Sequence, residues 1–415
     1  MNKLIYPTTE GQPQLSTISE EYNDDAEGDN ETLFESNWHD SVKKFDELGL
    51  SEDVYRGIVS YGFEDPSPIQ QKAIIPILQG RDTIAQAQSG TGKTGAFAIA
   101  TLQLIDPTSD TTQALICAHT RELALQISKV IEGIGEWTNI TVRACYGGNN
   151  VREDIKHTKN GVHIVVGTPG RIKFLLKKGF LKTDQLKLLV IDEVDEMLSG
   201  SMKDQVRDIF KFLPAEIQIA LFSATMPMNI LKLSEDFMRD PARILIKKDS
   251  LTLRGIKQYY VPLEKEDWKL EVLMNLYMNL EINQAIIYCN TTKRVNWLAK
   301  ELNDNDFTVS SMSGDMDQVS RDLVMREFRT GATRILISTD LLSRGIDVQQ
   351  VSVVINYDLP NNKESYIHRI GRSGRYGRKG TAINFVTPRE ADFLKDLQGH
   401  YNTQIIELPS DLEEL

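Results

Sequence analysis

Short apolar runs punctuate this chain, and the segments between them repeat their apolar side chains at helical spacing. In the first half the runs are Asp82 to Ala85, Ala114 to Cys117, Val142 to Cys145, His163 to Val166, Leu188 to Ile191 and Ile217 to Phe222. A second set follows at Ala285 to Cys289, Thr308 to Ser311, Arg334 to Ser338, Val351 to Tyr357 and Thr381 to Val386. Val295, Leu298, Ala299 and Leu302 show the helical period between two of them. A run that is apolar at consecutive positions reads as a strand buried on both faces, and strands alternating with helices predict parallel pairing. The expected fold is α/β, with two domains that are each a mostly parallel sheet with helices on both faces. Between the sets the pattern lapses at Lys247 to Thr252. The expected organisation is an acidic arm over 1–36, a first domain over 37–247, a linker over 248–255 and a second domain over 256–415. No repeat shows at the level of sequence.

Charge refines this picture. The 415 residues carry a formal net charge of −12, which taken as a whole argues against a polyanionic partner. Ten acids against Lys3 give residues 1–40 a charge of −9, and the four acids of 407–415 add −4, so the body stands at +1. A local basic groove is therefore compatible with the total. Dense charge and low hydrophobicity predict disorder for the arm, as a solvating tail or an interaction segment. Cys117, Cys145 and Cys289 are widely separated and odd in number, which argues against a disulfide framework or a structural zinc. No run reaches the ~20 apolar residues of a membrane span, and Met1 to Pro7 lacks a secretory pattern.

Two segments carry chemistry. Ala-Gln-Ser-Gly-Thr-Gly-Lys-Thr at 87–94 lies between a strand-like and a helix-like run, the context in which a glycine-rich loop binds phosphate. Backbone N–H groups from Ser89, Gly90, Thr91 and Gly92 would cradle phosphate oxygens, with Lys93 on the β- and γ-phosphates and the Thr94 hydroxyl on Mg²⁺. Asp-Glu-Val-Asp at 192–195 follows a buried strand, whose end delivers Asp192 and Glu193 to the carboxyl edge of the sheet. Singly, each has a plainer reading: a tight loop with an exposed lysine, or a solvated strand end. Together, in this order, they specify a magnesium–nucleotide site.

Ala87 stands where such loops usually begin with glycine, and Ala-x-x-Gly-x-Gly-Lys-Thr followed by Asp-Glu-x-Asp resembles the DEAD-box RNA helicases. About ten motifs occur in that family's order. The resemblance implies two tandem RecA-like domains and an ATP-dependent RNA helicase. Phe45, Gly62-Phe63 and Pro66 to Gln70 resemble the motif that reads adenine, with Gln70 on the base edge and an aromatic ring on its face. Thr120, Arg121, Gly148, Thr168 and Arg171 in the first half resemble RNA-backbone contacts, as do Arg321 and Thr339 in the second. Gly345 and Asp347 resemble nucleotide contacts. His368 to Arg375 resembles the segment that supplies arginine fingers, here Arg372 and Arg375, and Ser223 and Thr225 resemble the pair that couples hydrolysis to strand separation.

Ser51 to Gln71, Asp340 to Pro360, Tyr366 to Val386 and Tyr401 to Pro409 resemble the translation-initiation subgroup of that family. What this implies is local, non-processive unwinding by a monomer that uses ATP and Mg²⁺, partners that include RNA of little sequence preference and initiation scaffold proteins, no membrane, and a cytoplasmic or nuclear location. An ATP-gated RNA clamp within a ribonucleoprotein is the alternative. Val194, His119 and Ser313 depart from the family's pattern at alanine, proline and histidine positions.

Overall fold

The computed structural model describes residues 35–148, 150–245, 256–279, 283–342, 351–373 and 380–409. Nearly all of the expected arm lies outside these residues, as do the linker, Gly345, Asp347 and Arg375. Contacts divide the chain into two compact units, the first ending at Leu245.

The first unit is built on strands β1 (Thr83–Gln86), β2 (Ala114–Cys117), β3 (Val142–Cys145), β4 (Ile164–Gly167), β5 (Leu188–Asp192), β6 (Gln218–Ser223) and β7 (Ala242–Ile244). The second uses β8 (Ile256–Pro262), β9 (Ala285–Tyr288), β10 (Val309–Met312), β11 (Ile335–Ser338), β12 (Val353–Asn356), β13 (Gly380–Val386) and β14 (Ile406–Glu407). The sheet orders are β3-β4-β2-β5-β6-β1-β7 and β10-β11-β9-β12-β13-β8-β14, with every neighbouring pair parallel. Counted from the first strand of each unit, both orders are third, fourth, second, fifth, sixth, first, seventh.

The likeness extends to register. Thr83 and Tyr259 occupy the same ladder position in the two sheets, as do Ala114 and Ala285, Val142 and Val309, Ile164 and Ile335, and Leu188 and Val353. Helices cover both faces, which is why the strands are apolar at consecutive positions. On β9, Ile286 and Tyr288 enter one core while Ala285 and Ile287 enter the other. The three cysteines are buried at or beside strand ends, where loss of hydration pushes the thiols of Cys117 and Cys145 up to about 12 and raises that of Cys289. Among the described residues, no helix is long and apolar enough to cross a membrane.

Candidate active site

The glycine-rich loop leaves β1 and opens into the helix Lys93–Leu104, whose first-turn N–H groups have no partner within the helix. Gly92 caps that helix at φ 101°, a left-handed conformation, and a Cβ there would lie 2.7 Å from Ser67 Oγ and 2.8 Å from Gln70 Nε2. The backbone demands glycine, and a Cβ would push the Ser67 and Gln70 side chains aside. Lys93 Nζ donates to the Ala87 carbonyl at 2.8 Å, so the ammonium lies folded over its own loop. Thr91 Oγ1 donates to Gln88 O at 2.6 Å. Thr94, half-buried, is the next residue of the helix.

Gln70 ties this loop to the preceding helix, Pro68–Leu78. Its Oε1 accepts from Ser67 N–H at 2.8 Å and its Nε2 donates to Gly92 O at 3.2 Å. A side-chain amide has two donors and two acceptor sites, so one of each remains for a base edge. Phe45 is buried and stacks on Phe63, with ring centroids 6.3 Å apart and planes 23° apart.

The acidic segment begins at the end of β5. Asp192 is buried, and its Oδ1 accepts from Glu193 N–H at 3.0 Å. Burial, then the charge of Glu193, raise the Asp192 pKa well above the usual carboxylate range, while Lys93 opposes the shift. Glu193 has φ 50° and ψ 55°, a left-handed backbone that a non-glycine side chain seldom adopts. Asp195 accepts from Ser223 Oγ at 2.7 Å and from Thr225 Oγ1 at 2.6 Å, so the end of β6 and the turn that leaves it are fixed by the same acidic segment. Val194 is fully buried in the core, where its methyls are accommodated. Asp192 and Glu193 are both buried, and a hard divalent cation fits a donor set of carboxylate and hydroxyl oxygens such as Asp192 and Thr94 offer.

The remaining residues of the first unit gather at the ends of β2, β3 and β4. Thr120 caps the helix Arg121–Ile134 by accepting from Leu123 N–H at 3.2 Å. Gly148 has φ 89°, and a Cβ there would meet the Arg121 guanidinium at 2.7 Å. Thr168 caps the helix Pro169–Lys177, and its N–H reaches Cys145 O at 3.1 Å. Arg171 is buried against Asp154.

In the second unit Arg321 donates to Gly314 O at 2.5 Å, and Ser313 bonds Asp315 at 2.5 Å. Thr339 occupies the ladder position of Thr168, directly after β11. Arg369 is fully buried, bonding Asp340, Asn356, Asp358 O and Asn290, which gathers three strand ends onto the helix Lys363–Ile370. Arg372 follows that helix, its Nε donating to His368 O at 3.2 Å. Sequence reading missed Thr291. It holds the ladder position of Thr120 and caps Thr292–Asp304 in the same way, accepting from Arg294 N–H at 3.2 Å. A threonine directly before a helical run was the available signal.

Comparison with known proteins adds relatives to this geometry. Residues 67–233 match the DEAD/DEAH box helicase family and residues 268–377 the helicase conserved C-terminal domain. The chain is 56% identical over 385 residues to the ATP-dependent RNA helicase eIF4A of Chaetomium globosum, covering 93% of this chain and 97% of the relative. It is 57% identical over 381 residues to eukaryotic initiation factor 4A of Cryptosporidium parvum, covering 92% and 94%. Among solved structures, S. cerevisiae Dbp5 bound to RNA and ADP BeF3 superposes with a TM-score of 0.85 at 35% identity, covering 89% of this chain and 96% of Dbp5. Mss116p bound to ssRNA and AMP-PNP superposes at 0.81 with 27% identity, covering 90% and 81%.

Proposed function

The chain belongs to the DEAD/DEAH-box helicases, and from that membership we propose that it is an ATP-dependent RNA helicase acting in translation initiation in the cytoplasm. The observation that carries this reading is the convergence of Lys93, Asp192 and Glu193 with the Ser223–Thr225 pair that Asp195 holds.

Lys93 exchanges its loop carbonyl for phosphate oxygens, a charge-assisted contact of greater strength. Thr94 and Asp192 would hold Mg²⁺, which would offset charge on the phosphates. Glu193 orients the attacking water and accepts its proton. Gln70 uses its spare donor and acceptor on adenine, so recognition of the base is transmitted through Gly92 to the phosphate loop. Thr120, Gly148 and Thr168, joined by Thr291 and Thr339, present hydroxyl and backbone groups to RNA phosphates and read no sequence. Arg372 and Arg375 stabilise the transferred phosphoryl group, and turnover therefore needs both units.

The test is ATP turnover with and without unstructured single-stranded RNA, followed by strand displacement on a short duplex. RNA raises turnover, and Arg372→Ala removes about 10³-fold or more of it while ATP binding persists. Turnover indifferent to RNA would sink this reading.

A further inference from the structure

We propose that Asp154 is a positioning residue for RNA binding, holding the turns at 147–148 and 168–171 in fixed relation through Arg143 and Arg171. The proposal rests on the reading that these turns face RNA, and adds a residue that contacts none itself.

Asp154 lies on the helix Val151–Lys159, one turn past the glycine pair, and its side chain is completely buried. Both carboxylate oxygens are engaged by cations. Oδ1 accepts from Arg143 Nε at 3.2 Å and Nη2 at 2.9 Å, and Oδ2 accepts from Arg171 Nη1. Arg143 is on β3, before the glycine turn, and Arg171 is in the first turn of the helix that Thr168 caps. One carboxylate thus joins the strand before the first turn, the helix after it and the helix at the second turn. A buried ion pair is held by geometry and leaves an uncompensated charge when one member is removed, so it fixes relative position more than it adds stability.

The second unit supplies an independent observation. Its helix Gln318–Thr330 begins at the same ladder distance as Val151–Lys159, so Arg321 is the counterpart of Asp154 and Gly314 that of Gly147. Arg321 donates to Gly314 O at 2.5 Å and so fixes its glycine turn directly. The fourth residue of this helix anchors the corner in both units, by a cation in one and by a carboxylate gripping two cations in the other. Arg171, with one nitrogen committed to Asp154, is then a strut between the turns.

Steady-state ATPase of the full chain against single-stranded RNA concentration tests this in Asp154→Asn and Asp154→Glu. Asp154→Asn raises the KM for RNA about tenfold, while ATP affinity and kcat at saturating RNA stay within about twofold of the parent. Asp154→Glu keeps the charge that folding needs but displaces Arg171, and raises the same KM about threefold in a protein that still melts above the assay temperature. An unchanged KM for RNA in either folded variant overturns the proposal. Tighter RNA binding with steeper salt dependence overturns it too, because Asp154 would then be a competitor that keeps Arg171 from phosphate. A parent protein without RNA stimulation strikes down the helicase reading instead.

Discussion

The two sheets share every ladder register, and their difference is concentrated where the first helix begins. Lys93 stands ten residues beyond Thr83, and Lys269 ten residues beyond its counterpart Tyr259. The residues leading to Lys93 are Gln-Ser-Gly-Thr-Gly, and those leading to Lys269 are Glu-Lys-Glu-Asp-Trp. The Lys93 ammonium is held by a loop carbonyl, a partner that phosphate can displace. That of Lys269 is almost fully buried, 3.2 Å from Glu266, 3.6 Å from Asp358 and 3.7 Å from Glu390. Asp358 is moreover the ladder counterpart of Glu193. Carboxylates of the chain occupy, in the second unit, the role proposed for nucleotide phosphates in the first. One scaffold thus carries the proposed ligand site where the loop is glycine-rich and an ionic cluster around a buried lysine where it is acidic.

The largest test of this contrast exchanges charge for amide at the two paired acids. Glu193→Gln lowers RNA-stimulated turnover by about 10²–10⁴, the contribution of a positioned base, and leaves the melting temperature unchanged. Asp358→Asn does the reverse, sparing ATP affinity and lowering the melting temperature, because Asp358 also holds Asn290 N–H and Arg294. Equal losses of turnover would break the distinction.

The lysines give the next test. Lys269→Ala removes a buried ammonium from three carboxylates, two of which Arg294 still meets, and costs roughly 1–3 kcal/mol in denaturant unfolding. Lys93→Ala changes stability by under about 1 kcal/mol and instead removes ATP affinity. A Lys269→Ala protein of normal stability would show that the cluster holds nothing together.

The smallest effect sharpens the cost of keeping the first site open. The raised Asp192 carboxyl favours the folded state when protonated, below the ordinary aspartate range, and that contribution is lost as pH rises through the raised value. Asp192→Asn preserves the acceptor for Glu193 N–H, and so gains on the order of 1 kcal/mol at neutral pH. The gain, read as melting temperature, shrinks towards acid pH, while Mg²⁺-dependent ATP binding is lost. Destabilisation at neutral pH would show that Lys93 outweighs burial.

The fold class was legible because central strands buried on both faces leave unbroken apolar runs. The edges were not. β7 is three residues long with Arg243 at its centre, and β14 is two exposed residues, so neither carries an apolar signature. β8 mixes Lys257 and Gln258 with Tyr259 and Tyr260, and its pattern is that of a strand near the edge. The identity of the two topologies was hidden because counterpart positions, such as Glu193 and Asp358 or Asp154 and Arg321, carry different residues. For the site, motifs named the side chains that offer chemistry, and the side chains that hold them stayed silent. Asp154 reaches partners 11 and 17 residues away, and the left-handed backbone of Glu193 has no sequence mark.

The three buried cysteines make the protein convenient to instrument. Thiols shielded by strands and held largely protonated at neutral pH are poor nucleophiles, so maleimide dyes pass them by. Cysteines introduced at exposed places, such as Val59 in the first unit and Val319 in the second, can be labelled selectively without stripping out the native ones. A donor and an acceptor dye at those two sites would report the distance between the units, molecule by molecule, as ATP and RNA are added.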